Sequence, residues 1–158
     1  IQSVTMDEIS KKQEENLLKA VLNGVGIAGA HGGLVDSFRK NTNYQFMIGG
    51  QFVAHPGGMI KHKVKMLDDE LTSGLSDFDI LSEQYYMHYD PSVKIIAETK
   101  FGGEVYPWIK DVIMPVAWKK MYGKGKVFFI SIGHDPDEFM VYKDGWELLT
   151  RGFIWAVR

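Results

Sequence analysis

The sequence predicts an α/β fold with an open sheet covered by helices, and three observations carry that expectation. An amphipathic helical stretch near the N-terminus leads into a short apolar run, Val25 to Ala30, which ends in the glycine corner "GAHGG" before a second helical stretch. A second apolar run, Val127 to Ile132, ends in Gly133-His134. A C-terminal segment from about Lys143 to Ala156 then repeats apolar residues at helical spacing.

Taken in order, Thr5 and Glu8 have capping-box spacing ahead of the first helix. Ile9, Leu17, Leu18, Val21 and Leu22 form its apolar face, Lys11, Lys12, Glu14 and Glu15 its polar one, and Asn23-Gly24 stops it. Val25 to Ala30 reads as a buried strand. The order helix, strand, elbow, helix is half of a βαβ unit whose first strand would precede Ile1. The second helix is expected over roughly Leu34 to Lys40, and the Gly-, Asn- and Pro-rich "NTNYQFMIGGQFVAHPGG" as loop. Ile60, His62, Val64 and Met66 alternate with lysines, the pattern of a half-exposed strand. "FDILSEQYYMHYD" and "VKIIAET" read as extended segments, and "TKFGGEVYPWI" as a loop or hairpin tip. "IMPVAWKKMYGKGKVFFISIGH" predicts an antiparallel hairpin turning at Gly123-Lys124-Gly125. In the last helix, Trp146, Leu149, Phe153 and Ile154 fall on one stripe, the expected core face.

Composition removes several classes of function. A 45 % apolar fraction over 158 residues suffices for one domain with a sizeable core. With a net charge of −2 and no basic cluster beyond the alternating Lys61, Lys63 and Lys65, nucleic acid is not an expected partner. No apolar run approaches the ~20 residues of a membrane span. Cysteine is absent, which excludes disulfides, thiolate catalysis and thiolate zinc sites within the chain and accords with a cytoplasmic setting.

The chemistry-bearing residues cluster at strand ends. Ligands of open α/β sheets bind beyond the carboxyl ends of the strands. His31 follows one apolar strand at a Gly-x-x-x-Gly corner of the kind that usually presents a nucleophile, and His134 follows another. If those strands run parallel, both imidazoles enter one crevice. Glu83 is the candidate carboxylate partner, with Tyr85 and Tyr86 beside it on opposite faces of an extended segment, and His55 in a Gly/Pro loop shapes the rim. His62 and His88 read as structural or surface positions, Tyr86 and Met87 as core, and Asp36 with Arg39 as an i,i+3 pair. A His/His/Glu set suits general acid–base work near neutral pH, or a divalent metal such as zinc held by His31 and His134. No His-x3-His helical ligand pair is present.

The segments "GVGIAGAHGGLVDSFRKNTNYQFMIGGQFVAHPGG", "SEQYYMHYDP", "MPVAWKKMYGKGKVFFISIGHDPDEF" and "RGFIWAVR" closely resemble the trehalose-utilisation (ThuA-like) family of the class I glutamine amidotransferase-like superfamily. The resemblance implies a flavodoxin-like, largely parallel sheet with helices on both faces, the antiparallel hairpin added. It makes residues 1–158 a single ThuA-like domain lacking the family's first β-α-β portion. His31 then occupies the elbow position where the amidotransferases carry Cys, and His134 corresponds to their later His. Imidazole lacks the nucleophilicity of a thiolate, so glutamine hydrolysis is disfavoured. The implied role is in sugar catabolism, on a disaccharide or keto-sugar. A lyase, isomerase or hydrolase would use His31, His134 and Glu83 as catalytic residues and His55, Tyr85 and Trp118 for substrate binding. The competing expectation is a non-catalytic carbohydrate-binding or interaction module on the same scaffold. The expected partner is a small carbohydrate, and whether copies form a homo-oligomer is left open.

Overall fold

Ser10 starts the first helix. The structure, a computed structural model, describes residues 7–157. In it the Ser10 hydroxyl accepts from the Gln13 amide while the Gln13 side chain accepts from the Ser10 amide, a reciprocal box that opens α1 (Lys11–Leu22). Of the box expected at Thr5 and Glu8, Thr5 lies outside the described residues. Next come β1 (Ile27–Ala30) and α2 (Gly32–Val35). The second helix is therefore one turn long, where the sequence suggested two.

The stretch expected to be loop after Lys40 instead forms α3 (Thr42–Ile48) and β2 (Gly50–Ala54). Asn41 caps α3 by accepting from the Tyr44 amide at 2.8 Å, and Gly49 closes it in the left-handed conformation. Tyr44, Met47 and Ile48 share its buried face. β3 (Met59–Met66), β4 (Phe78–Glu83), β5 (Tyr86–Tyr89) and β6 (Lys94–Lys100) follow. A 3₁₀ turn (Pro107–Ile109), β7 (Ile113–Tyr122), β8 (Gly125–Ile130), α4 (Glu138–Val141) and α5 (Lys143–Val157) complete the chain. No helix among the described residues is long and apolar enough to cross a membrane.

Six strands form one sheet in the order β1-β8-β7-β6-β3-β4, and β2 pairs with β5 in a separate antiparallel ribbon. The expectation of a largely parallel sheet is corrected here: β1–β8 is parallel and the other pairs are antiparallel. The reason lies in the connections. β7 and β8 are joined through the predicted Gly123-Lys124 turn, with Tyr122 opposite Gly125, and so short a link permits only antiparallel pairing. Helices do cover both faces at the parallel end. Phe128 and Ile130 join the core cluster under α5, whereas Val127 and Phe129 join the cluster under α1 and α3.

Helix α5 faces the sheet with an unexpected side. Gly145, Leu148, Gly152 and Ala156 are buried, while Trp146, Phe153 and Ile154 are exposed at 52 %, 38 % and 48 %. Close approach decides this orientation. A Cβ on Gly152 would lie 2.1 Å from the Phe128 ring, so a small-residue stripe lets the helix axis approach the strands. Trp118, expected at the substrate, belongs to the core as well. It is fully buried, donates its indole N–H to the Ile48 carbonyl at 3.0 Å and packs on Phe129.

Candidate functional site

The parallel pair carries the site. Ala30 is opposite Ile130, and the His31 amide extends the ladder by donating to the Ile130 carbonyl at 2.8 Å. The chain then turns sharply: His31 has φ 53° and ψ −136°, a conformation that L side chains rarely adopt, and Gly32 opens α2 at once. That geometry lifts the imidazole away from the strand instead of burying it in the sheet. One strand over, β8 runs into Ser131-Ile132-Gly133 and presents His134 at the same end.

Glu83 comes from the opposite edge of the sheet. In a flat six-stranded sheet the outer strands would stand about 24 Å apart at the usual inter-strand spacing. Yet Glu83, the last residue of β4, places Oε2 3.0 Å from His31 Nε2. The sheet therefore curls until its two edge strands meet at this carboxylate. Two features permit the curl: register irregularities between β6 and β7 at Ile95–Ala97–Glu98, and a β3–β6 contact confined to Lys65 and Met66.

Three histidines surround the carboxylate. His134 Nδ1 lies 3.3 Å and His55 Nε2 3.7 Å from Glu83 Oε1. The Glu83 and His31 side chains are 12 % and 14 % exposed, against 42 % for His55 and 46 % for His134. Glu83 and His31 thus form a floor and the other two imidazoles an open rim. Burial lowers the His31 pKa from the ordinary imidazole value, the Glu83 charge opposing it, so the ring is neutral at pH 7. Tyr85 Oη stands 3.0 Å from His31 Nδ1 and 2.9 Å from Nε2. Burial first, and then the Glu83 charge, raise the Tyr85 pKa well above the phenol range. With Nε2–H donated to Glu83, His31 keeps Nδ1 to accept from the Tyr85 hydroxyl, 3.0 Å away.

Tyr85 packs edge-to-face with Phe52 at 4.6 Å between centroids, and Arg39, paired with Asp36, lies over the Phe52 ring. His31, His55, Glu83, Tyr85 and His134 are thereby brought together as the sequence led one to expect, and Trp118 is not. A residue that the sequence did not single out is Glu138. Its buried carboxylate accepts from the Ser82 hydroxyl at 2.8 and 2.9 Å and from the Gly133 amide at 3.0 Å. It therefore ties the residue before Glu83 to the residue before His134. The motif "GHDPDEF" contains it, but only the packing of α4 against the β4 terminus gives it that task.

His31, Glu83 and His134 each offer a ligand atom within 4.8 Å of the others. A tetrahedral zinc ion with bonds near 2.0–2.1 Å needs donors about 3.3 Å apart. The Glu83 distances of 3.0 and 3.3 Å lie near that edge but run to its two different oxygens, so the three residues are a candidate donor set and not a formed tetrahedral site.

An α/β protein whose parallel strands aim two histidines at one carboxylate is the class that this fold and cluster define, and its structural neighbours share the fold. A ThuA-like protein of Parabacteroides merdae superposes with a TM-score of 0.78 at 16 % identity, over 98 % of this chain and 68 % of its own. A cytoplasmic protein of Salmonella typhimurium gives 0.65 at 16 %, over 97 % and 63 %. A β-galactosidase of Bacillus circulans gives 0.57 at 13 %, over 97 % and 21 %. The model of the ThuA family, trehalose utilisation, matches residues 1–156, and the chain belongs to that family. No curated protein matches its sequence.

Proposed function

We propose that the chain acts on a carbohydrate, a disaccharide or its keto derivative, by proton transfer at Glu83, His31 and His134, in the cytoplasm. The observation that carries this reading is the half-sealed Glu83 carboxylate held between the His31 and His134 imidazoles, in a family named for trehalose utilisation. Glu83 is the base for a proton next to a sugar carbonyl. His31, neutral and anchored by Tyr85, aims that carboxylate. His134, on the open rim, exchanges a proton with the carbonyl oxygen. Acid–base catalysis of this kind contributes about 10²–10⁴-fold. Glutaminase activity is not expected, since the elbow residue is His31.

Glu83→Gln and His134→Ala are expected to lower turnover of a keto-disaccharide by that factor while circular dichroism stays native. Turnover unchanged in both variants would refute these catalytic roles, whereas saturable sugar binding without any product in the wild type would favour a binding module. A second reading rests on the donor spacing: His31, Glu83 and His134 hold a divalent cation such as zinc, which would polarise the sugar carbonyl. Calorimetric zinc titration checks it. One site in the wild type that is lost in Glu83→Gln supports it, and no saturable binding excludes it.

A further inference from the structure

The loop between β6 and β7 displays two aromatic rings to solvent. Trp108 is 76 % and Tyr106 39 % exposed, and their rings stack at 4.7 Å between centroids and 21° between planes. The display is built, not loose. Phe101 pairs with both Val112 and Asp111 through the backbone, and Pro107 opens the 3₁₀ turn. Ile109 is buried on Phe101 and Met114. Gly103, at φ 86°, lets the two limbs close: a Cβ there would lie 2.6 Å from Lys110 Cβ.

Two attachments connect this loop, and the strand end that leads into it, to the segments that carry the histidine–carboxylate cluster. A Cβ on Gly57 would lie 2.9 Å from Val105 Cγ2, so Val105 rests on the turn that carries His55, two residues away. Gln84, which follows Glu83, donates to Thr99 Oγ1 at 2.7 Å and to the Lys100 carbonyl at 3.2 Å, and the Tyr86 ring stands 5.8 Å from Phe101. The loop is thus braced on the His55 turn, and the end of β6 that leads into it on the segment after Glu83.

We infer that the Tyr106–Trp108 stack is a platform for a pyranose ring, holding the sugar unit of a disaccharide that does not react. This rests on the carbohydrate reading above. A pyranose offers a flat face of C–H groups, which an exposed indole can cover while the hydroxyls at the ring edge remain in water. Rings already stacked on a braced loop lose little freedom when a ligand arrives. The exposed apolar side chains of this segment are Val105, Tyr106, Trp108 and Ile113, with charged Glu104, Lys110 and Asp111 among them, against the roughly 20–30 residues a side of a standard protein interface. The size of this patch selects a sugar ring over a protein surface.

The test titrates ¹⁵N-labelled protein with trehalose and with glucose, following the Trp indole N–H resonances, in the wild type, Trp108→Ala, Trp108→Tyr and Trp146→Ala. The platform predicts that trehalose shifts the Trp108 indole saturably. Trp108→Ala should weaken trehalose about tenfold, the ~1.4 kcal/mol expected of one aromatic stack. Trp108→Tyr should restore most of the affinity, and Trp146→Ala should change nothing. An unmoved Trp108 indole, or a trehalose Kd within twofold of wild type in Trp108→Ala, overturns the inference. If Trp108→Ala loses trehalose while Glu83→Gln keeps full turnover, the platform stands and the proposed catalytic role falls.

Discussion

The elbow at His31 stores backbone strain, and two substitutions at that one residue measure it. At φ 53° and ψ −136° a residue with a Cβ costs about 1–3 kcal/mol relative to relaxed backbone. His31→Ala and His31→Gly both delete the imidazole, so both lose its contacts with Glu83 and Tyr85, and their difference isolates the backbone. Glycine's greater freedom in the unfolded chain opposes the relief by about 0.4–1 kcal/mol. The net expectation is that His31→Gly is more stable than His31→Ala by about 1 kcal/mol, the reverse of the ordinary Ala-over-Gly order. For 158 residues, an unfolding entropy near 2 cal/mol/K per residue turns this into a Tm gap of about 3 °C. Urea titration and calorimetry at pH 7.5 read the gap. If His31→Ala equals or exceeds His31→Gly, the elbow is unstrained, and the reasoning that the fold holds this side chain up at a cost fails.

The remaining expectations concern pH and the clamp behind the site. His31 and His62 both titrate below the ordinary imidazole value, chiefly through burial. Their neutral forms stabilise the fold fully above the unfolded value near 6.5, and that contribution is lost as pH falls from there through the folded values. Thermal unfolding should accordingly show Tm falling from pH 7 to pH 5, less steeply in His62→Gln; an equal slope in that variant would contradict the assignment. Glu138→Ala leaves the Ser82 hydroxyl and Gly133 amide without their acceptor, at about 2–3 kcal/mol. It should also lower turnover by freeing His134, with kcat falling more than KM rises. Ser82→Ala, which spares the Gly133 bond, should cost about 1 kcal/mol.

Local signals were legible wherever neighbouring residues decide the outcome. The Gly123-Lys124 turn, the strand ending at His31 and the strand leading to His134 all follow from short-range pattern. Helix α3 is masked in the sequence by its polar Thr42, Asn43 and Gln45 and by the exposed Phe46, although Asn41 and Gly49 mark its ends. The apolar stripe of α5 is no guide to its buried face, because Gly145 and Gly152 face the strands through the closeness they allow. Trp118 misled for a related reason: an indole beside a basic pair reads equally well as rim or as core until its N–H finds the Ile48 carbonyl.

By itself the sequence determined that the chain is α/β, that it has no thiol chemistry, and that His31 and His134 end apolar strands, because composition and period-two or period-3.6 patterning act over a few residues. Only the tertiary structure decided which strands run parallel and that Glu83, at the far edge strand, closes on His31. It alone set Glu138 behind both Glu83 and His134. These outcomes depend on the curl of a six-stranded sheet, which sums small twists and pairing irregularities over many strands. No short window of sequence encodes that sum.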